Sequence, residues 1–458
     1  MFKRSIIKEL VLWAAQTNRK PLVIRGARQV GKTTVVKEFG KQFDQFIYLN
    51  LELPEDKKPF EDFSNIETLV QTIFLIKNKQ ISLKESTLLF IDEIQEYPPT
   101  LNLLRYFYEQ EPKLSVIAAG STLETLFDKD IHFPVGRVEY KVLRPASFQE
   151  FLDATGETVA LEKLKDIPFP AFTYDTLLNL FHIYALTGGM PEVVNHYANH
   201  KDITALSGIY DSLITSYSDD VEKYGISSQQ TQLIRHAIST VFREAGKRIT
   251  YEGFGNSSYR SRDMGEALRT LEKAFLIQLI FPQVGATLPF SPDLKKKPRL
   301  QVLDTGILNY AAGIQTDIIQ SKDLNTVYKG IMIEHLIGQE ILAHQYLSLS
   351  SLHFWVREKT TSSAEVDYLF PHKGKLIPVE VKSGATGKLK SLHLFMDLAP
   401  HNIAIRFYAG KINITQATTP SGKVFHLLSL PYFLATELEG YLNWFEKEIG
   451  KMGESSTF

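Results

Sequence analysis

Apolar positions in the first 150 or so residues gather into short unbroken runs, separated by stretches with helical spacing. Pro21-Leu-Val-Ile-Arg25, Phe46-Ile-Tyr-Leu-Asn-Leu51, Leu88-Leu-Phe-Ile91 and Ser115-Val-Ile-Ala-Ala119 lack a period-2 alternation, so they read as strands buried on both faces. Between them, Ile6, Ile7, Leu10, Val11 and Ala14 share one helix face. Further helices are expected from about Lys32 to Phe43, near Ile66–Ile76 and after Pro98-Pro99. Strands interleaved with crossover helices predict a parallel α/β sheet. From about 147 to 225 the pattern is mostly helical, punctuated by Thr187-Gly-Gly-Met-Pro191. A smaller unit follows. Its first helix, Thr231–Phe242, carries Leu233, Ile234, Ala237, Ile238 and Val241 at core spacing; Ser257-Ser258 precede a second helix with Leu268 and Leu271; Phe275–Ile280 is an apolar strand. That order fits a winged helix-turn-helix. The proline-rich stretch Phe281–Arg299, with Lys295-Lys-Lys297, reads as a linker or an exposed wing, and the remaining residues return to a mixed α/β pattern. The expected divisions are 1–150, 151–225, 226–300 and 301–458.

The chain has 458 residues, of which 44% are hydrophobic and 22% charged, within the ordinary globular range. It contains no cysteine, which excludes disulfides, cysteine-ligated metals and thiol catalysis. Lys3, Arg4, Lys8 and Glu9 interrupt any signal-peptide core, and no apolar run is long enough to span a bilayer. A cytoplasmic protein without a membrane partner is therefore expected. The 51 Lys+Arg and 52 Asp+Glu nearly cancel, so a nucleic-acid surface would have to be a local patch.

Two patterns carry chemistry. The first is Gly26-Ala27-Arg28-Gln29-Val30-Gly31-Lys32-Thr33, a full match to G-x-x-x-x-G-K-[ST], followed by Thr34 and set between a strand and a helix. Glycines let the backbone N–H groups turn inward around phosphates, and the helix N-terminus favours negative charge. Lys32 is placed for the β/γ-phosphates and Thr33 for Mg²⁺. Leu88-Leu-Phe-Ile-Asp92-Glu93 supplies a second half: Asp92 at a strand end to hold Mg²⁺, and Glu93 to orient or deprotonate the attacking water. The alternative for Glu93 is a structural charge at a helix start. Ser121, after the fourth strand, is a candidate γ-phosphate contact. Arg137, in Pro134-Val-Gly-Arg137, is a candidate transition-state arginine, although a surface arginine reads the same way.

The second pattern lies near the C-terminus. Ala364–Phe370 and Ile377–Lys382 read as two strands turning at Lys373-Gly374. Glu380 and Lys382 share a strand face, and the hairpin brings Asp367 alongside. Two carboxylates can hold Mg²⁺ while a lysine activates water for phosphodiester attack; Glu334, on a helix expected over Ile331–Ala343, would complete the metal shell. Charges alternating on a half-exposed strand explain any one of these residues, but the helix-then-hairpin order with all four positions filled favours a metal site.

Taken together, the chain resembles bacterial and archaeal AAA-like ATPases that carry a C-terminal domain of unknown function with a restriction-endonuclease-like core. The resemblance rests on Gly26–Thr33, Asp92-Glu-Ile-Gln95, Gly120-Ser121, Gly136-Arg137, Gly188-Gly-Met-Pro191, Asp304-Thr-Gly-Ile-Leu308 and the Glu334/Asp367/Glu380/Lys382 set. It implies a P-loop ATPase core, a helical lid, a winged helix and a nuclease-like end domain, with Asp367, Glu380 and Lys382 as that domain's acid, acid and lysine. Ser121 departs from the Asn or Thr usual after the fourth strand in AAA+ proteins. Residues 241–299 hold 11 Lys/Arg against 6 Asp/Glu, and Tyr259, Arg260 and Arg262 open the second helix, which suits DNA contact. Winged helices also dock proteins. The readings are an ATP-driven, Mg²⁺-dependent nuclease, a nucleotide-controlled switch that binds DNA without cutting, and, least suited to the Asp92-Glu93 pair, a small-molecule kinase. A homo-oligomer is compatible with each.

Overall fold

The computed structural model describes residues 2–121, 136–220, 227–313, 330–359, 362–382 and 389–455. An amphipathic helix α1 (Ile6–Ala14) leads to β1 (Leu22–Arg25), α2 (Lys32–Gly40), β2 (Gln45–Asn50), α3 (Pro54–Glu61), α4 (Ile66–Ile76), β3 (Thr87–Asp92), α5 (Pro99–Gln110), β4 (Ser115–Ala119) and β5 (Glu139–Val142). These strands form one parallel sheet in the order β2-β3-β4-β1-β5. The central strands β1, β3 and β4 are buried along their whole length, as their unbroken apolar runs require. Strand β2, at the edge, alternates buried and half-buried positions. Leu22, Ile24, Leu88, Phe90 and Ile117 pack on one face with α1 and α2, while Val23, Leu89, Ile91 and Val116 pack on the other with α4 and α5.

A helical layer follows: α6 (Phe148–Thr155), α7 (Thr158–Leu164), α8 (Tyr174–Thr187), α9 (Pro191–His200) and α10 (Ser207–Asp220). Ser147 and Glu150 form a capping box at the start of α6. The next unit contains α11 (Ser228–Val241), α12 (Ser261–Lys273), β6 (Ile277–Ile280), β7 (Pro282–Gln283) and β8 (Arg299–Val302). β6 and β8 are antiparallel, and Arg248 bridges to Arg299 beside them. The segment from 281 to 298 is not a free linker. β7 pairs in parallel with β9 (Phe354–Lys359), which belongs to the C-terminal part.

That part continues through α13 (Thr305–Ala311), α14 (Gly330–Ala343), β9, β10 (Ser362–Val366), β11 (Tyr368–His372), β12 (Lys375–Lys382), α15 (Lys390–Leu398), β13 (Ile403–Tyr408), β14 (Asn413–Thr418), β15 (Val424–Pro431) and α16 (Leu438–Ser455). Its mixed sheet runs β11-β12-β13-β15-β14. β11 and β12 form the expected hairpin, with positive φ at both Lys373 and Gly374 in the two-residue turn. The single strand expected over 364–370 is instead broken at Asp367: β10 pairs with β9 in one sheet, and β11 pairs with β12 in another. Among the described residues, no helix is long and apolar enough to cross a membrane.

Candidate functional site

The phosphate loop closes between β1 and α2 at the C-terminal edge of the sheet. Gly26 has φ +142°, and a Cβ there would lie 2.2 Å from the Leu143 carbonyl oxygen, so only glycine lets the chain turn. Gly31 caps α2 in the left-handed region, and no side chain caps the first helical N–H groups. Lys32 is buried and donates to the carbonyls of Gly26 (3.0 Å) and Ala27 (2.9 Å). Burial holds its pKa down to about 8, against the opposing pull of Glu93 and Asp92. Thr33 Oγ1 donates to Asp92 Oδ2 at 2.7 Å, and the Tyr48 hydroxyl reaches the same oxygen at 3.3 Å. Burial raises the Asp92 pKa, partly countered by the Thr33 hydrogen bond.

Glu93 adopts a left-handed backbone, φ 49°, a strained choice for this residue type. Its N–H donates to Asp92 Oδ1 (3.1 Å), and its carboxylate accepts from the Gln95 side chain. The hydroxyl, carboxylate and ammonium groups thus meet as an Mg²⁺–triphosphate would require: Thr33 and Asp92 to hold the ion, Lys32 to exchange its carbonyl partners for phosphate oxygens. Ser121 is buried two residues beyond β4, at the same end of the sheet.

Arg137 requires a correction. The register sets Glu139 of β5 opposite Leu22, the first residue of β1, whereas the phosphate loop follows the last. Arg137 therefore sits at the far end of the sheet, paired with Glu109 at 2.9 Å and half-exposed. It cannot reach the phosphates of its own chain. Pro134 and Val135, quoted with it, lie outside the described residues.

Several residues with no assigned role in the sequence brace this loop. Arg4 donates to the carbonyls of Val30 (3.0 Å) and Arg144 (2.6 Å) and pairs with Glu150 (3.0 Å). Arg28 pairs with Asp220 at the end of α10, and the Tyr217 hydroxyl donates to the Arg28 carbonyl at 3.3 Å. Pro191 would lie 3.5 Å from a Cβ on Gly31. The Gly188-Gly189 turn that precedes it is held by Asp304, whose Oδ2 accepts from the Gly189 N–H at 2.6 Å while its Oδ1 caps α13 through the Ile307 N–H at 3.1 Å. A Cβ on Gly188, φ +64°, would lie 2.2 Å from Asp304 Oδ1. The two glycine-containing motifs meet at one place, 115 residues apart in sequence. Both motifs, Gly188–Pro191 and Asp304–Leu308, stand out in the sequence, but nothing there joins them; Arg4 leaves no signal.

The C-terminal residues converge as well. The Val381 N–H donates to Asp367 Oδ2 at 2.7 Å, and Lys382 pairs with Glu380. The other Glu380 oxygen, Oε2, is buried and has no hydrogen-bond partner. Burial first, then Asp367, pushes the Glu380 pKa up to about 8. The two carboxylates are close enough to raise the Glu380 pKa, and one oxygen is orphaned, as a site for a cation would require. Glu334 does not fit the same shell. It is paired with the buried guanidinium of Arg299, which also holds Glu365 and donates to the Asp367 carbonyl at 2.9 Å. Among the described residues, no group of three or more His, Asp or Glu is arranged to hold a metal.

The Lys32 geometry gives a pH expectation. In the nucleotide-free protein Lys32 loses its proton as pH rises through about 8, and triphosphate binding favours the charged form. Affinity for an ATP analogue is therefore expected to fall above pH 8, and to be flat over roughly pH 7–9.5 in Lys32→Ala. A wild-type affinity independent of pH in that window would contradict the assignment.

Residues 18–152 match a family model described as an AAA domain. Residues 178–318 and 329–433 match two models described as domains of unknown function, DUF8612 and DUF4143. None of the curated proteins matches the chain. Similar solved structures include a Walker-type ATPase of Pyrococcus abyssi, at 16% identity over 68% of this chain and 96% of that one, with a TM-score of 0.43. Thermotoga maritima RuvB is 14% identical over 61% of this chain and 90% of that one, TM-score 0.29. The Aeropyrum pernix ORC1 protein, solved in complex with DNA, is 13% identical over 67% and 90%, TM-score 0.28. These likenesses are too slight to bear on function. The match over 18–152 falls on the segment that builds the phosphate loop at the edge of a parallel sheet, and that segment is similar to the AAA domains of P-loop ATPases.

Proposed function

We propose that the protein hydrolyses ATP and uses the cycle to control a DNA-binding, nuclease-like C-terminal half. The observation that carries the coupling is the Gly188-Gly189 turn, which leads into Pro191 beside Gly31 of the phosphate loop and donates to Asp304 through the Gly189 N–H. In the reading we favour, Lys32 and the loop N–H groups bind the triphosphate, Thr33 and Asp92 hold Mg²⁺, and Glu93, oriented by Gln95, takes the proton from water. Bound Mg²⁺ supplies charge neutralisation at the phosphoryl oxygens. Arg137 can serve catalysis only in another copy of the chain, which ties its proposed role to a homo-oligomer. At the other end, Asp367 and Glu380 would hold a divalent ion and Lys382 would position water beside it.

The DNA reading rests on fewer cations than the 11 in the sequence of this region suggest. Arg248 and Lys296 are both paired with Glu358, and Arg299 is buried among carboxylates. Arg260, Lys295 and Lys297 carry the reading, Arg262 being paired with Glu266 at 3.6 Å, and Lys295 and Lys297, with the paired Lys296, line a surface cavity of about 530 Å³ between the α12 unit and the 294–298 segment. If these lysines bind phosphates, neutralising both should lower the log–log salt slope of duplex binding by about 2, at roughly 0.9 for each phosphate no longer neutralised. Lys296→Gln should leave the slope unchanged. An unchanged slope in the double variant would point to a protein-docking surface. The direct test of the nuclease half is Mn²⁺-dependent DNA cleavage, with and without ATP, in wild type and Asp367→Ala. The switch that binds without cutting is the second reading, favoured by the occupation of Glu334.

A further inference from the structure

The acidic cluster of the C-terminal domain is filled by a cation that the chain itself supplies. Arg299 opens β8, in the strand pair that follows α12, yet its side chain is 3% exposed and lies inside the C-terminal domain. It pairs with Glu334 from α14 and Glu365 from β10, donates to the Asp367 carbonyl at 2.9 Å, and stacks 4.4 Å from the Phe354 ring centroid. Three segments of one site are thus tied by one guanidinium from a different unit. A buried arginine enclosed this way costs desolvation that only its partners offset, so the arrangement is specific to this pairing. Glu380 Oε2, close by in the same cluster, stays unpartnered, which leaves the half of the site formed by Asp367 and Glu380 open to a ligand of positive charge.

We propose that Arg299 latches the nuclease-like site: it takes the cation position at Glu334, so that a divalent ion binds only at Asp367 and Glu380 until β8 is withdrawn. The inference deepens the metal-site reading and rests on it. The latched state presents one ion position; withdrawing the guanidinium frees Glu334 and Glu365, and with them room for tighter or additional metal binding. Lys295 and Lys297 lie four and two residues before Arg299 on the same short segment. A polyanion engaging them pulls on the strand that carries the latch.

The test is Mn²⁺ titration by calorimetry on the full nucleotide-free chain, with ATP turnover as the check that each variant has folded. Wild type should bind Mn²⁺ in a manner lost in Asp367→Asn and changed less than about twofold in Glu334→Gln. Arg299→Met should bind at least about tenfold tighter, and adding Glu334→Gln in that background should remove the gain. Mn²⁺ binding seen only once Arg299 is replaced overturns the open position at Asp367 and Glu380, and with it the latch as stated. If Arg299→Met does not fold, Arg299→Lys decides, because lysine keeps the charge but lacks the planar fork that spans Glu334, Glu365 and the Asp367 carbonyl together: a severalfold gain supports the latch and an unchanged affinity overturns it. A loss of about tenfold in Glu334→Gln of the otherwise wild-type chain overturns it too, since Glu334 would already be a metal ligand. Binding that depends on Asp367 but ignores Arg299 defeats the latch alone. Absence of Mn²⁺ binding in every variant defeats the metal site and the latch together.

Discussion

Glu93→Gln should bind ATP as wild type does and hydrolyse it on the order of 10²–10⁴-fold more slowly, the usual contribution of a positioned base. The change keeps the side chain's size and its capacity to bond Gln95, and removes only the ability to accept a proton. Lys32→Ala should fail earlier in the cycle. Its ammonium is buried in the loop, already stripped of water and held by the carbonyls of Gly26 and Ala27. Its charge-assisted bonds to phosphate are worth about 1.5–3 kcal/mol, or on the order of tenfold to a hundredfold in affinity. Equilibrium binding of a fluorescent ATP analogue and steady-state phosphate release separate the two effects. Wild-type turnover in Glu93→Gln would remove the base assignment, and undiminished binding in Lys32→Ala would remove the phosphate contact.

The second large effect concerns the other end of the chain. With nucleotide left out, so that Thr33 and Asp92 have no triphosphate-borne ion to hold, millimolar Mn²⁺ should raise the melting temperature of the wild type. A ligand at roughly 100 times its Kd adds about 2.7 kcal/mol to the folded state. For a unit of about 150 residues this is a shift on the order of 5–10 °C. Asp367→Asn with Glu380→Gln should abolish it while ATP turnover persists, because the two sites lie on separate sheets. Lys382→Ala should keep the shift and lose any cleavage, since the lysine donates to Glu380 but is no metal ligand. Equal shifts in wild type and double variant would make these carboxylates ordinary strand residues.

The difference in what could be read from the sequence at these two sites has a physical origin. The phosphate loop is local. Its strand, glycine spacing and helix follow one another between Leu22 and Gly40, and the unbroken apolar run Leu88–Ile91 announces a buried strand that must end beside it. The strand β5 is four residues with polar positions among them, and its place next to β1 is set by packing between distant stretches of chain. Without that register, nothing in Gly136-Arg137 shows which end of the sheet the arginine occupies. Asp367 was expected inside one strand because apolar residues continue on both sides of it; the break between two sheets follows from partners on β9 and β12. Arg299 falls within the cation count over 241–299, just after the run Lys295-Lys-Lys297. Its burial depends on Glu334 and Glu365, 35 and 66 residues away, and no periodicity encodes that.

The union of Gly189 with Asp304 also bears on how the chain is made. A ribosome adding about 5–20 residues per second exposes the lid turn on the order of 10 s before Asp304 can reach it. Glu340, which accepts from the Phe148 N–H at the start of α6 and from the Tyr184 hydroxyl, arrives later still. During that interval the nascent ATPase half holds an open glycine turn and, at the start of α6, a Phe148 N–H still without its Glu340 acceptor. The two halves therefore have to mature together, and a fragment ending near residue 225 should be a client for chaperones rather than a self-sufficient ATPase.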